Sequence, residues 1–138
     1  MRALVLWGAL ALAACTSGSS DGPAEVKWDR DVCRSCGMVM SDRHFAAEVR
    51  APSGAVSKFD DIGCALKWLD EQPFANDPAT KLWVARGSDG AWLDGRTAHY
   101  VAGKTSPMGF NFSAVDGDQP GNDLAAQREV VRSMPRAR

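Results

Sequence analysis

The sequence predicts an α+β fold in which two similar small ββαβ units form one compact domain. Two observations predict the units: segments typical of strand, strand, helix and strand follow one another from Phe45 to Arg86, and a weaker version of this order runs from Ala91 to Met134. A third observation is length, because residues 26–134 amount to a single small domain.

The first unit begins with a predicted β-hairpin. Phe45, Ala47 and Val49 alternate with polar or small residues, a Ser-Gly turn follows, and Val56–Phe59 alternates again. Alternation with a period of two is typical of strands that bury one face.

A helix and a strand complete the first unit. Asp60-Asp61 offers an N-cap, the segment Ile62–Gln72 repeats apolar residues with helical spacing, and Pro73 ends it. The apolar segment Lys81–Arg86 then predicts a strand.

The second unit is predicted from weaker patterns. A turn at Asp94-Gly95 interrupts a strand-like segment, and Phe110 and Phe112 alternate in the next one. A helix with capping signals follows, and its residues available for burial are Leu124, Ala125, Val131 and Met134.

The N-terminal segment is typical of an exported lipoprotein. Residues 1–14 carry one Arg, a short apolar run and small residues before Cys15, so we expect a cleaved signal peptide and a lipid on the Cys15 thiol. Residues 15–25 form a polar Ser/Gly-rich spacer, and residues 26–134 form the domain. Thr16 in the second mature position favours the outer membrane. A lipid-anchored periplasmic protein is therefore expected.

Charge and cysteine content narrow the possible partners. The chain carries 16 Lys and Arg against 17 Asp and Glu, with neither sign in a run, which argues against a nucleic-acid partner. Exported thiols tend to be oxidised, yet three cysteines remain once Cys15 is lipidated. An odd number means that at least one thiol is free, ligated or paired with another molecule.

The stretch CRSCGMVM suggests a soft metal site. A thiolate together with a thioether selects Cu(I) outside the cytoplasm. In an extended segment the Cα atoms of Cys36 and Met38 lie about 6.8 Å apart, and the flexible Met side chain can bring its sulfur to an ion held by Cys36. Met40 is farther along and is expected in the core or beside the site. Met108, between Pro107 and Gly109, is a third candidate ligand or a buried core residue.

Other interpretations of the cysteines stay open. Cys33 and Cys36 can form a disulfide, which leaves Cys64 in the core, or the pair can serve a thiol oxidoreductase. A structural zinc site would need all three cysteines and a histidine. His44 and His99 are expected to be packing or surface residues.

Several motifs together resemble a known family. The sequence contains, in this order, a lipobox Cys, CGM, FDDIGC with an amphipathic helix, a Trp-containing strand, an Ala-x-Tyr-Val segment and a PMG turn. The combination resembles NosL, the accessory lipoprotein of nitrous oxide reductase, over most of the mature chain. Members of that family continue past the last helix into another strand, whereas this chain ends SMPRAR, which leaves the last strand of the second unit open.

The resemblance implies a function and a ligand set. It implies a membrane-anchored periplasmic Cu(I) metallochaperone, not an enzyme, that supplies copper to nitrous oxide reductase. Partners would be the ABC-type transporter of the maturation system, its periplasmic subunit and the reductase itself. Carried over, the copper ligands are Cys36, Met38 and Met108, with Cys33 and Met40 as additional candidates. The alternative is a periplasmic thiol oxidoreductase or lyase-like enzyme that uses Cys33 and Cys36.

Overall fold

The structure, a computed structural model, describes residues 21–135 of the chain. Two helices and six strands lie in this range, so the fold is mixed α+β as predicted. The elements in chain order are β1 (Ala47–Arg50), β2 (Val56–Phe59), α1 (Ile62–Asp70), β3 (Lys81–Ala85), β4 (Trp92–Asp94), β5 (His99–Ala102), β6 (Phe112–Val115) and α2 (Leu124–Ser133).

The first ββαβ unit forms as its sequence pattern predicts. β1 pairs with β2 in an antiparallel hairpin, and β3 pairs with the other edge of β1. α1 begins after Asp61, whose side chain accepts a hydrogen bond from the Gly63 N–H, and it ends shortly before Pro73. The helix therefore packs across the hairpin that precedes it, with its apolar face inward.

The second unit divides its strands differently from the first. β4 extends the first sheet, giving the order β2-β1-β3-β4, while β5 and β6 form a separate two-stranded sheet. A parallel bridge between Arg86 and Ala114 joins the two sheets. α2 follows the Asp123 N-cap, and no strand comes after it within residues 21–135.

The two helices close the domain over one main core. Val131 of α2 is buried as expected, and Leu124 and Met134 pack partly against the core. Ala125 is exposed, contrary to the prediction, and Gln127 is buried in its place. Gln127 tolerates this position because its side-chain oxygen accepts a hydrogen bond from the Asn122 amide at 3.0 Å.

The end of the predicted spacer 15–25 lies against the sheet. The Ala24 N–H donates to both carboxylate oxygens of fully buried Glu48 at 2.9 Å. Lys58 Nζ donates to the Glu25 carbonyl at 2.6 Å. The chain is thus fixed to the first hairpin before it reaches the cysteine loop.

The predicted signal peptide 1–14 and the lipid-bearing Cys15 lie outside the described residues. Neither helix in residues 21–135 combines the length and the apolar character needed to cross a membrane.

Candidate metal centre

Cys33 and Cys36 lie in a tight loop that is closed at its base. Val32 and Val39 form an antiparallel bridge, and the Cys33 N–H donates to the Met38 carbonyl at 2.7 Å. Gly37 has φ of 75° and donates its N–H to the Cys33 carbonyl at 2.9 Å. This left-handed conformation suits glycine and turns the chain back on itself. The segment is therefore not extended at Gly37, contrary to the assumption made from the sequence.

A group of three thiols and one carboxylate meets where this loop touches the start of α1. Its members, here named the thiol cluster, are Cys33, Cys36, Asp60 and Cys64. One donor atom from each lies within 4.8 Å of all the others. The three cysteines are free, so the Cys33–Cys36 disulfide, one of the alternatives left open by the sequence, is not formed in the structure.

The strand–helix junction supplies half of the thiol cluster. Asp60 follows the last residue of β2, and Cys64 lies in the first turn of α1. Because Asp61 is the N-cap, neighbouring Asp60 is left free to face the loop, where its Oδ1 accepts a hydrogen bond from the Cys36 thiol at 3.4 Å. Asp60 Oδ2 is buried and has no hydrogen-bond partner among the described residues.

The four members of the thiol cluster differ in pKa, because they are buried and form hydrogen bonds with one another. A hydrogen bond from the Cys64 thiol lowers the pKa of Cys33 to about 4. Hydrogen bonding to that thiolate raises the pKa of Cys64. Burial raises the pKa of Cys36 to about 12 and that of Asp60 to about 7. Near neutral pH the negative charge therefore lies on Cys33 and in part on the Asp60 carboxyl group, next to the protonated thiols of Cys36 and Cys64.

Asp61 connects this region to the PMG turn. Its Oδ1 accepts the Gly63 N–H at 2.9 Å, while its Oδ2 accepts the Ser106 hydroxyl at 2.6 Å and the Met108 N–H at 2.9 Å. Burial raises the pKa of Asp61, and these hydrogen bonds act in the opposite direction. One carboxylate thus caps α1 and positions the backbone of Met108.

The CGM loop and the PMG turn line the same surface cavity. Its volume is about 460 Å³. The sulfur-bearing residues in its wall are Cys36, Met38, Cys64 and Met108. Met38 is 47% exposed, so its thioether side chain is accessible from solvent. Met38 and Met108, here named the thioether pair, come from distant parts of the sequence and flank two members of the thiol cluster.

The remaining sequence candidates lie elsewhere. Met40 is fully buried in a smaller apolar cluster that includes Val26, so it is a core residue and does not line the cavity. His44 pairs with Asp42 at 3.1 Å, and His99 Nδ1 lies 2.6 Å from a backbone carbonyl. Neither histidine belongs to the group of potential ligands around the three cysteines.

The sequence pattern does not single out Asp60 as a site residue, and it predicts Cys64 as a core residue. Cys64 is indeed buried, but it is also a member of the thiol cluster. The available signal was the Asp60-Asp61 pair, because one residue satisfies the N-cap and the other then needs a different partner.

The donors present fit a metal ion. Three sulfurs and one carboxylate oxygen, all within 4.8 Å, can hold an ion in common. Thiolates favour soft ions such as Cu(I) and also suit zinc. Comparison with protein-family models and with curated proteins gives no match for this chain. The function is therefore inferred from the chemistry of the site and from the motifs of the sequence.

Proposed function

We propose that this protein is a lipid-anchored periplasmic metallochaperone that binds Cu(I) and delivers it to nitrous oxide reductase. It acts as a carrier and not as a catalyst. The motif order that resembles the NosL family supports the reductase, its ABC-type transporter and the transporter's periplasmic subunit as partners. The Cys15 lipid holds the carrier at the membrane, with the outer membrane favoured by Thr16.

The observation that carries the proposal is the convergence of Cys36, Met38 and Met108 on one cavity. Cys36, which loses its proton when it binds the ion, and two thioethers form a soft set that selects Cu(I) over harder ions. Cys36 is half-buried and Met38 is 47% exposed, so an incoming ligand can attach before the old ones leave. A carrier needs this accessibility, because it must release its ion to a partner.

A competition titration against a colorimetric Cu(I) chelator under reducing conditions tests the ligand set. Cys36→Ser should weaken Cu(I) binding by about a hundredfold, whereas Met108→Leu should change the rate at which Cu(I) passes to the chelator. Met40→Leu is the matched control, because Met40 is buried away from the cavity, and it should bind as wild type does. Unchanged affinity in Cys36→Ser together with an unchanged transfer rate in Met108→Leu would refute the assignment.

A second candidate is a thiol oxidoreductase or lyase-like enzyme that uses Cys33 and Cys36. The observation in its favour is the lowered pKa of Cys33, about 4, because a thiolate is the reactive form. Cys33 is only 2% exposed, however, which keeps a substrate away from its sulfur. This enzyme would turn over a disulfide or organometal substrate, and its activity would depend on Cys36 but not on the thioether pair.

A further inference from the structure

Two sets of potential metal ligands overlap at Cys36 and Cys64. Both residues line the cavity together with the thioether pair. Both also belong to the thiol cluster, whose other members, Cys33 and Asp60, do not line the cavity. The two sets thus have the sulfurs of Cys36 and Cys64 in common. The set that includes the thioether pair lines the surface cavity, and the thiol cluster extends from it toward the core.

We propose that the thiol cluster is a second, inner position for the metal ion, behind an outer position formed by Cys36 and the thioether pair. The ion enters and leaves at the outer position and is retained at the inner one. This inference rests on the proposed function, because it concerns the Cu(I) that the carrier transports.

The spacing of the thiol cluster suits one ion with little rearrangement. Two sulfurs bound to the same ion at about 2.3 Å lie no more than roughly 4.6 Å apart. The donor atoms of Cys33, Cys36 and Cys64 already lie within 4.8 Å of one another. Three sulfurs spaced evenly around one ion at this bond length lie roughly 4.0 Å apart, so a decrease of about 0.8 Å or less in each sulfur–sulfur distance brings all three to the ion.

Burial separates the roles of the two positions. Cys33 and Cys64 are 2% and 3% exposed, whereas Met38 is 47% exposed. An ion among the buried thiols is shielded from external ligands, and an ion at the thioether pair is not. Retention and release therefore fall to different side chains.

Asp60 acts on the sulfurs and not on the copper. A carboxylate oxygen is a hard donor that Cu(I) does not favour. Its Oδ1 accepts a hydrogen bond from the Cys36 thiol, which orients that sulfur toward the cluster. The inner position therefore offers Cu(I) three sulfurs.

Movement between the positions is a ligand exchange in which copper stays Cu(I). Cys36 remains bound throughout. Each bond from copper to a thioether that breaks is replaced by a bond to the sulfur of Cys33 or Cys64. A thiol that becomes a ligand releases its proton to solvent through the cavity, and no electron is transferred.

Two double variants separate the positions. Cys33→Ala with Cys64→Ala removes the inner ligands, and Met38→Leu with Met108→Leu removes the thioethers while conserving volume. Val131→Ala truncates another buried core residue without touching sulfur and controls for the loss of packing. Each protein is titrated with Cu(I) against the chelator, and the rate of copper release to excess chelator is measured.

The double Cys variant should lose about a hundredfold in Cu(I) affinity and still release copper rapidly. The double Met variant should retain one tightly held Cu(I) and release it at least about tenfold more slowly than wild type. Wild-type affinity in the double Cys variant would overturn the inner position while leaving the proposed function intact. Absence of Cu(I) binding in the wild type would instead overturn the proposed function.

X-ray absorption at the copper edge of the Cu(I)-loaded double Met variant gives a test that does not depend on the folding of the double Cys variant. The inner position predicts three sulfur neighbours near 2.3 Å, roughly the usual metal–thiolate distance. With only the outer position, Cys36 would supply a single sulfur, and that result would refute the inference.

Discussion

Replacing Asp61 by Ala removes three hydrogen bonds from one fully buried carboxylate. Loss of the N-cap costs about 1 kcal/mol. The bonds from Ser106 and Met108 to the charged group contribute about 1.5–3 kcal/mol each, offset in part because the variant no longer buries a charge. We therefore expect the free energy of unfolding to fall by about 3 kcal/mol. Urea denaturation followed by tryptophan fluorescence measures this change.

Asp123→Ala is the matched control for this prediction. Asp123 is the N-cap of α2, and its side chain accepts one hydrogen bond from the Ala126 N–H at 2.8 Å on the exposed surface. Its replacement should cost only about 1 kcal/mol and leave Cu(I) affinity unchanged. Asp61→Ala should also change the rate at which Cu(I) passes to a chelator, because Met108 loses its backbone anchor. Equal destabilisation by the two variants would refute the role given to Asp61 in joining α1 to the PMG turn.

Two further predictions concern the surroundings of the site. Burial raises the pKa of Asp60 from 3.8 to about 7, so the folded protein holds this proton more tightly than the unfolded chain does. As pH rises from about 4 to about 7, the free energy of unfolding of the metal-free wild type should therefore fall relative to that of Asp60→Asn, by at most about 4 kcal/mol. Chemical denaturation at a series of pH values measures both proteins, and parallel pH profiles of the two would contradict this. Gly63→Ala would place a Cβ 2.0 Å from the Phe110 ring, whereas a Cβ at Gly37 meets nothing within 4 Å. We expect losses of about 3 kcal/mol for Gly63→Ala and about 1 kcal/mol for Gly37→Ala in the same assay, and the reverse order would show that the packing is misjudged.

The elements that the sequence predicted well are those defined by local periodicity. The hairpin of β1 and β2 and the helix α1 each carry a strong pattern and a clear boundary, Ser53-Gly54 in one case and Asp61 in the other. The assignment of β4 to the first sheet could not be read in this way. Its three residues carry too little pattern to show that they pair with β3, the strand before them in the chain, and not with β5.

Some residues of the candidate site are likewise predictable from the local sequence, and others depend on tertiary contacts. The chemistry of Cys36 and Met38 follows from residue type, because soft ligands next to each other in the chain suggest a soft ion. The place of Asp60 does not, since capping accounts for Asp61 and the sequence does not tell which residues the other aspartate faces. Only the folded loop brings Asp60 beside the Cys36 thiol. The involvement of Met108 also needs tertiary structure, because Asp61 is what fixes its turn against α1.

The same groups are expected to lower the stability of the metal-free protein and to raise its stability once metal is bound. The Asp60 carboxylate is buried, with Oδ2 lacking a hydrogen-bond partner among the described residues, and the nearby Cys33 carries negative charge. A buried group of this kind costs stability unless it is compensated. Because Cu(I) binds the folded site more tightly than the unfolded chain, the protein should unfold at a higher temperature when loaded with Cu(I).

Copper stoichiometry under reducing conditions tests the central claim most directly. The mature protein and its Cys36→Ser variant are loaded with Cu(I), passed through a desalting column in the presence of a weak chelator, and assayed for copper and protein. The account predicts about one Cu(I) per wild-type chain and almost none in the variant, because Cys36 is common to both metal positions. Wild type without copper, or a variant that keeps its full complement, would contradict it.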